Sequence, residues 1–298
     1  MRKHPVMFGM LILLILGVLS YFFFYKAGLY SGKNKNFSLK DKIGVVCVDG
    51  VITDSMSITE QLDDFAKDDS IVAVILRVDS PGGGVAASQE IYDAVIELKK
   101  KKKIVASMGS IAASGGLLVA CSADKIVANP GTITGSISAI MQFANFEGLL
   151  KKVGVKSSVV KSGKYKDIGS PVREMTPEEK VIVQDLVDDI YNQFMDVIIK
   201  DRKLSREKVI EIADGRVFSG RRAKELGLVD YLGDMTFAAK LASKMAGKNG
   251  EYELVYPGKK RFSVFDYFLE NAASKISSSI KEKIESTTGL SYIYYPAR

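Results

Sequence analysis

The run IVAVILRVDSPGGGVAASQEIYDAVIELKKKKKIVASM, residues 71–108, most narrows what this chain can become. Residues 71–80 are an almost unbroken apolar stretch rich in β-branched side chains. A strand with one wet face alternates apolar and polar residues; a continuous run asks for burial on both faces. Residues 86–100 repeat their apolar positions at helical spacing, and 103–108 return to a strand pattern. Strand, helix and strand in this order predict parallel neighbours joined by a crossover. Three glycines at 82–84 mark the first turn.

The same alternation continues on both sides. Residues 43–52 read as a buried strand and 58–68 as a short helix. A helix is expected to begin near Ser114, with strands at 125–130 and 136–143 and a helix at 146–154. A long helix is predicted over 176–202, because Thr176, Pro177 and Glu179 form a capping-box pattern. Its apolar stripe is Ile182, Leu186, Ile190, Phe194 and Ile198. Residues 205–215 and 219–227 read as two further helices, each stopped by glycine. The expected class is an α/β domain over 43–240 with a largely buried sheet. A C-terminal extension, 241–298, holds a mixed amphipathic stretch at 262–286 and the segment LSYIYYPAR at 290–298.

The N-terminus has a different character. No charged residue occurs from 6 to 25, where VMFGMLILLILGVLSYFFFY follows Arg2 and Lys3. At 1.5 Å per residue such a helix reaches about 30 Å, the depth of a bilayer core. The bulky aromatic exit lacks a small-residue cleavage pattern, so an uncleaved transmembrane helix is expected. Residues 1–5 are read as a cytoplasmic tail, 26–42 as a flexible linker, and the body as extracytoplasmic. The formal net charge is +7. The lysines lie in scattered clusters such as 99–103, without an aromatic-rich basic groove or zinc-ligand spacing. They read as solvated faces near anionic lipid, with no nucleic acid as partner. Cys47 and Cys121 each sit in an apolar run and read as buried free thiols. Neither metal nor cofactor is expected.

Two segments carry the chemistry. DSPGGG, 79–84, directly follows a strand. It reads either as a tight turn or as a nest of N–H groups for an anion; the residues of a phosphate loop are missing. GSIAASGG, 109–116, frames Ser114 with small side chains. Ser114 reads either as a helix N-cap or as a nucleophile, uncovered so that a substrate can come close. If the two segments end neighbouring strands, one turn supplies donors to an oxyanion and the other the attacking group. The sole histidine is His4, at the far N-terminus. A neutral lysine is then the remaining base, and KSGKYKDIGSPVRE, 161–174, offers several. Spacing does not choose among them.

RVDSPGGG, SMGSIAASGG, DKIVANPGTITGSISAI, VKSGKYKDIGSPVREMTPEEK and DGRVFSGRRAKELGLVDYLG follow one another in this chain. Together they resemble the signal peptide peptidase A family in its short, membrane-anchored form, across about residues 43–235. The resemblance implies a ClpP/crotonase-like fold and a serine protease with a Ser-Lys dyad. Ser114 then corresponds to the nucleophile, Lys166 rather than Lys164 to the base, and Ser136 to the hydroxyl orienting that lysine. Gly83 corresponds to the oxyanion donor, assisted by Gly115. The resemblance further implies a homo-oligomeric ring with serine and lysine from neighbouring subunits. The substrates it implies are signal peptide remnants and other unfolded peptides. Peptide pairing by strand addition is expected near 82–86 and 136–140. Rival readings are a stomatin-partnering membrane serine protease, a crotonase-like acyl-CoA enzyme and a non-catalytic membrane scaffold.

Overall fold

The structure is a computed structural model that describes residues 13–22, 40–258 and 290–293. The chain divides into two units at Lys40/Asp41. In the first, residues 13–22 form helix α1, whose Leu13, Leu14, Leu16 and Leu19 are all exposed. The remainder of the expected anchor, and the tail and most of the linker, lie outside the described residues. Among the described residues, no helix is long and apolar enough to cross a membrane.

The second unit is built on a sheet whose main path pairs β1 (Asp41–Asp49) with β10 (Tyr252–Val255) and β2 (Ile71–Ser80). It continues through β4 (Lys103–Ala113) and β5 (Lys125–Ala128) to β9 (Tyr231–Leu232), and every pairing along it is parallel. Period-two alternation sends successive side chains to opposite faces. Ile43, Val45, Ala73, Ile75, Val105 and Val127 form one core with Ala238, Ala239 and Ala242. These alanines belong to α9 (Met235–Met245), capped by Asp234, whose carboxylate accepts the Phe237 N–H at 2.8 Å. Val46, Val74, Leu76, Ile104, Ala106 and Ile126 face the other core. It is shared with α2 (Met56–Lys67), α3 (Val85–Lys99), α4 (Gly115–Cys121) and α6 (Pro177–Arg202). Both faces are buried, which explains the continuous apolar runs.

Several boundaries differ from the sequence reading. The domain limit at 240 falls inside α9, and β10 adds a strand to the main sheet. Residues 136–143 are not one strand: β6 is Ile133–Gly135 and β7 is Ile140–Met141. The break falls after Gly135, the last residue of β6, whose φ is 91°; Ser136, with φ 54°, follows it out of the strand. The stripe of α6 is buried at Phe194 and Ile198, whereas Ile182 and Leu186 stay exposed. Helices α5 (Glu147–Lys152), α7 (Arg206–Ile212) and α8 (Gly220–Glu225) fall where helices are predicted. Cys121 is fully buried, pushing its thiol up to about 12, and Cys47 is half-buried; both are free. The stretch 262–286 lies outside the described residues.

Strand β4 does more than one strand's usual work. Its first half pairs with β2 and β5; its last residues pair in parallel with β6, which also meets β8 (Val217–Ser219) antiparallel. Between the halves the register with β2 shifts, from Val78 opposite Met108 to Ser80 opposite Ala112. Asp79 holds the irregular stretch: its carboxylate accepts the Ile111 N–H at 3.1 Å. Gly109 makes room, since a Cβ there would stand 2.4 Å from Asp79 Oδ2. Thr132 Oγ1 donates to the Gly109 carbonyl at 2.7 Å and Thr134 Oγ1 to that of Ala112 at 2.6 Å. Where the ladder is interrupted, side chains thus supply the partners the backbone loses.

Candidate active site

Strand β4 ends at Ala113, and Ser114 is the next residue. It is buried, with φ 53° and ψ −121°. Such a backbone is costly for a residue with a Cβ and persists only where the surroundings impose it. Here the Ser114 N–H donates to the Gly135 carbonyl at 2.8 Å, and the Ser114 carbonyl accepts from Leu118 N–H at 3.0 Å. The serine is held at both ends. It occupies the N-cap position of α4, yet its side chain accepts no N–H from that helix. Thr176, Ser205, Ser219 and Asp234 do cap their helices in this way.

Ser136 stands beside it. The last register pair of β4 and β6 is Ala113 opposite Gly135, so the two serines follow one step later on adjacent parallel strands. Ser136 has φ 54°, and its N–H donates to the Arg216 carbonyl at 2.8 Å. The free N–H groups at the start of α4, beginning with Gly115, lie directly after Ser114. Gly116 lets that helix reach the end of β2, since a Cβ there would be 2.7 Å from the Ser80 carbonyl oxygen.

The three glycines form strand β3 (Gly82–Gly84) rather than a simple turn. Gly82 accepts the Ile52 N–H at 2.9 Å, and Gly84 N–H donates to the Ile52 carbonyl at 2.8 Å. Alternation then turns the Gly83 N–H away from Ile52. On β3's other edge lies β11 (Leu290–Ile293), antiparallel, with Tyr292 opposite Gly83. β11 also pairs antiparallel with β7, Ser291 opposite Ile140, and its backbone comes close to α4. An extended segment of the chain therefore lies between 82–84 and 140–141, beside the helix that Ser114 begins.

Lys166 lies elsewhere, exposed on a loop without strand or helix between 155 and 176. Among the described residues no hydrogen bond joins it to Ser114. Its neighbours are firmly tied. Lys164 pairs with Glu178, which raises its pKa, and Tyr165 donates to the same carboxylate. Asp167 takes Arg173 Nε at 2.8 Å and also pairs with Lys161; Arg173, above all, holds its carboxyl well below the usual carboxylate range. Arg173 also reaches Glu179 with two bonds, at 2.8 and 2.5 Å. That guanidinium is the main cause that holds the Glu179 carboxyl at about 2. Phe143 presses on Gly169; Phe146, Leu149 and Val153 are exposed ahead of the loop, and Val159 and Val160 are exposed within it.

Sequence reasoning missed the supports. Asp79, Thr132 and Thr134 set the path of β4, and Arg173 with Glu179 sets that of the loop. An acid at the end of an apolar strand was a usable cue for Asp79. Nothing local marked the threonines, because their partners come from another strand.

A family model described as peptidase family S49 matches residues 96–249, and one described as Clp protease matches 33–133. A protein of Synechocystis sp. named as a candidate protease is 53% identical over 175 residues, covering 59% of this chain and 63% of its own. Protease 4 of Haemophilus influenzae is 33% identical over 264 residues, or 83% of this chain and 41% of its own. The chloroplastic serine protease SPPA of Arabidopsis thaliana is 34% identical over 175 residues, 58% of this chain and 26% of its own. The chain spans less than two thirds of the length of each of these relatives. The S49 model takes in more than half of the chain, from the end of α3 past α9, and on that ground the chain belongs to peptidase family S49.

Proposed function

We propose that the chain is a membrane-anchored serine endopeptidase in which Ser114 and Lys166 act as a dyad on cleaved signal peptides and other unfolded peptides. The observation that carries this reading is the pairing of residues 290–293 with β3 and β7 beside α4. A slot that accepts an extended segment by backbone hydrogen bonding accepts peptides of many sequences.

In this reading Ser114 Oγ attacks the peptide carbonyl carbon while its proton passes to the neutral Lys166 amine. The C=O electron pair moves onto oxygen, and the N–H groups of Gly83 and Gly115 receive that oxyanion. Each such donor is worth about 3–4 kcal/mol. When the intermediate collapses, the C–N bond breaks and the ammonium of Lys166 returns its proton to the leaving amine. Lys166 next takes a proton from water, whose oxygen attacks the acyl-serine ester; the C–Oγ bond then breaks, the ammonium returns the proton to Ser114 Oγ, and the new carboxyl product leaves. Ser136 accepts or donates a hydrogen bond at the amine and orients it. Lys164 suits the role poorly, because its pairing with Glu178 favours the charged form.

The dyad is shared between subunits of a homo-oligomeric ring, with the apolar surface at 143–160 as the contact between copies. Support comes from the exposure of its side chains and from its position leading into the loop that carries Lys166. The anchor is residues 6–25, with the N-terminus cytoplasmic and the catalytic unit extracytoplasmic. Its support is the uncharged run and the exposed leucines of α1.

The test is hydrolysis of unstructured peptides by the purified protein and by Ser114→Ala, Lys166→Ala and Lys164→Ala. The first two are expected to be inactive and the third active. Mixing the two inactive proteins under conditions of subunit exchange should restore part of the activity. Full hydrolysis by Ser114→Ala or Lys166→Ala would sink the reading.

A further inference from the structure

We propose that Arg173 is a positioning residue for Lys166, fixing the base-bearing loop to the first turn of α6 through Asp167 and Glu179. The inference rests on the dyad reading above.

The loop from 155 to 176 has no ladder of its own: backbone turns such as Lys166 N–H to the Gly163 carbonyl, 3.1 Å, and Ser170 N–H to the Asp167 carbonyl, 3.1 Å, shape it locally, and side chains tie it to α6. Arg173 donates five hydrogen bonds, three within the loop and two to Glu179 of α6. Nε donates to Asp167 Oδ2 at 2.8 Å and Nη2 to the Asp167 carbonyl at 3.1 Å. Nη1 donates to Glu179 Oε2 at 2.8 Å and to the Glu174 carbonyl at 3.0 Å, and Nη2 donates to Glu179 Oε1 at 2.5 Å. Both the side chain and the backbone of Asp167 are held, and Asp167 directly follows Lys166. The anchor is rigid. Glu179 has a side chain only 4% exposed, and it also accepts the Thr176 N–H at 2.9 Å in the α6 capping box. A planar five-donor fork can bridge two carboxylates and two carbonyls together; a lysine ammonium cannot. On the other side of Lys166, Lys164 and Tyr165 reach Glu178, but that ion pair is exposed and adds little.

Lys166 itself stands free of these ties among the described residues, so the network fixes its backbone and leaves its amine available. Placement of a catalytic group matters steeply: a shift of about 1 Å can cost about a hundredfold in rate.

The experiment measures kcat and KM for peptide hydrolysis by the full-length protein and by Arg173→Gln, Arg173→Lys, Glu178→Gln and Lys166→Ala. Oligomeric state and thermal midpoint are recorded for each. Lys166→Ala is expected to be inactive. Arg173→Gln is expected to lose kcat by about tenfold to a hundredfold with KM within about twofold. Arg173→Lys, which keeps the charge without the fork, should recover only part of it, and Glu178→Gln should stay near the starting protein. If Lys166→Ala remains active, the dyad reading fails and takes this inference with it. If Lys166→Ala is inactive but both Arg173 variants keep their kcat, the dyad stands and the positioning role is overturned. A rise in KM alone in the Arg173 variants likewise overturns it. Should Arg173→Gln fail to assemble, Arg173→Lys decides by the same split.

Discussion

Ser114 and Ser136 share an unusual backbone: φ is 53° in one and 54° in the other, and they sit side by side where β4 and β6 end. The hydrogen bond from Ser114 N–H to the Gly135 carbonyl, 2.8 Å, links the two turns. A positive φ ends each of two neighbouring strands, and the two buried serines come to lie side by side there.

That backbone has a cost. Ser114→Gly should relieve strain of about 1–3 kcal/mol, offset by about 0.5–1 kcal/mol of unfolded-chain entropy. The expected outcome is an inactive protein about 1 kcal/mol more stable than Ser114→Ala, measured by denaturant unfolding. A Gly variant less stable than the Ala variant would show that the surroundings do not strain this residue.

Gly83 and Gly84 are expected to behave differently on substitution by alanine. At Gly83 a Cβ would stand 2.1 Å from the Ile52 carbonyl oxygen, which is backbone and cannot step aside cheaply. At Gly84 the nearest atom is 3.6 Å away and φ is −57°. Gly83→Ala should lose peptide hydrolysis and about 1–3 kcal/mol of stability. Gly84→Ala should fold within about 0.5 kcal/mol of the starting protein. Equal effects in paired unfolding and activity assays would refute the assignment of the close approach to Gly83.

Asp79 is expected to matter as an acceptor rather than as a charge. Asp79→Ala leaves the Ile111 N–H without its partner and should cost about 1–3 kcal/mol. Asp79→Asn keeps an oxygen in place and should recover most of that loss. Thermal unfolding of the three proteins checks the order.

The Glu179 tie gives a pH window with a definite sign. Its folded-state carboxyl titrates near 2, below the ordinary glutamate value of about 4.3. Above the ordinary value both folded and unfolded chains are ionised, and the contribution is complete. As pH falls toward 2 the unfolded chain takes the proton first, and the contribution declines. Glu179→Gln should remove this dependence. Amide-exchange protection of residues 161–176, corrected for the intrinsic rate at each pH, is expected to fall from pH 5 to pH 3 in the starting protein and to fall less in the variant, where only the Asp167 tie still loses strength.

Residues 290–293 pair with β3 and β7, the edges that the proposed function assigns to peptide. A chain ending at residue 289 should therefore bind peptide more tightly, with KM lowered several-fold and kcat little changed, because an internal competitor held at high effective concentration is gone. An unchanged KM in steady-state assays would mean that the tail does not compete in solution.

The local pattern of residues 43–130 determined much of this protein. Continuous apolar runs separated by an amphipathic helix require a parallel sheet buried on both faces, and that requirement travels with the sequence because each strand states its own period. The capping box at Thr176 and Glu179 was equally plain, since all of its atoms lie within one turn. Helix α9 was not legible in this way, because a short alanine-rich stretch declares its buried face only when a sheet lies under it. Nor was the slot between β3 and β7, which is filled by a strand some two hundred residues later in the chain. The left-handed turns at Ser114 and Ser136 belong to the same class. A positive φ at a serine is unfavourable by itself, and only the neighbouring strand's hydrogen bonds make it the lower-energy choice. The sequence named its serines and lysines; tertiary contacts decided which of them are buried, strained or tied, since those properties depend on atoms far away along the chain.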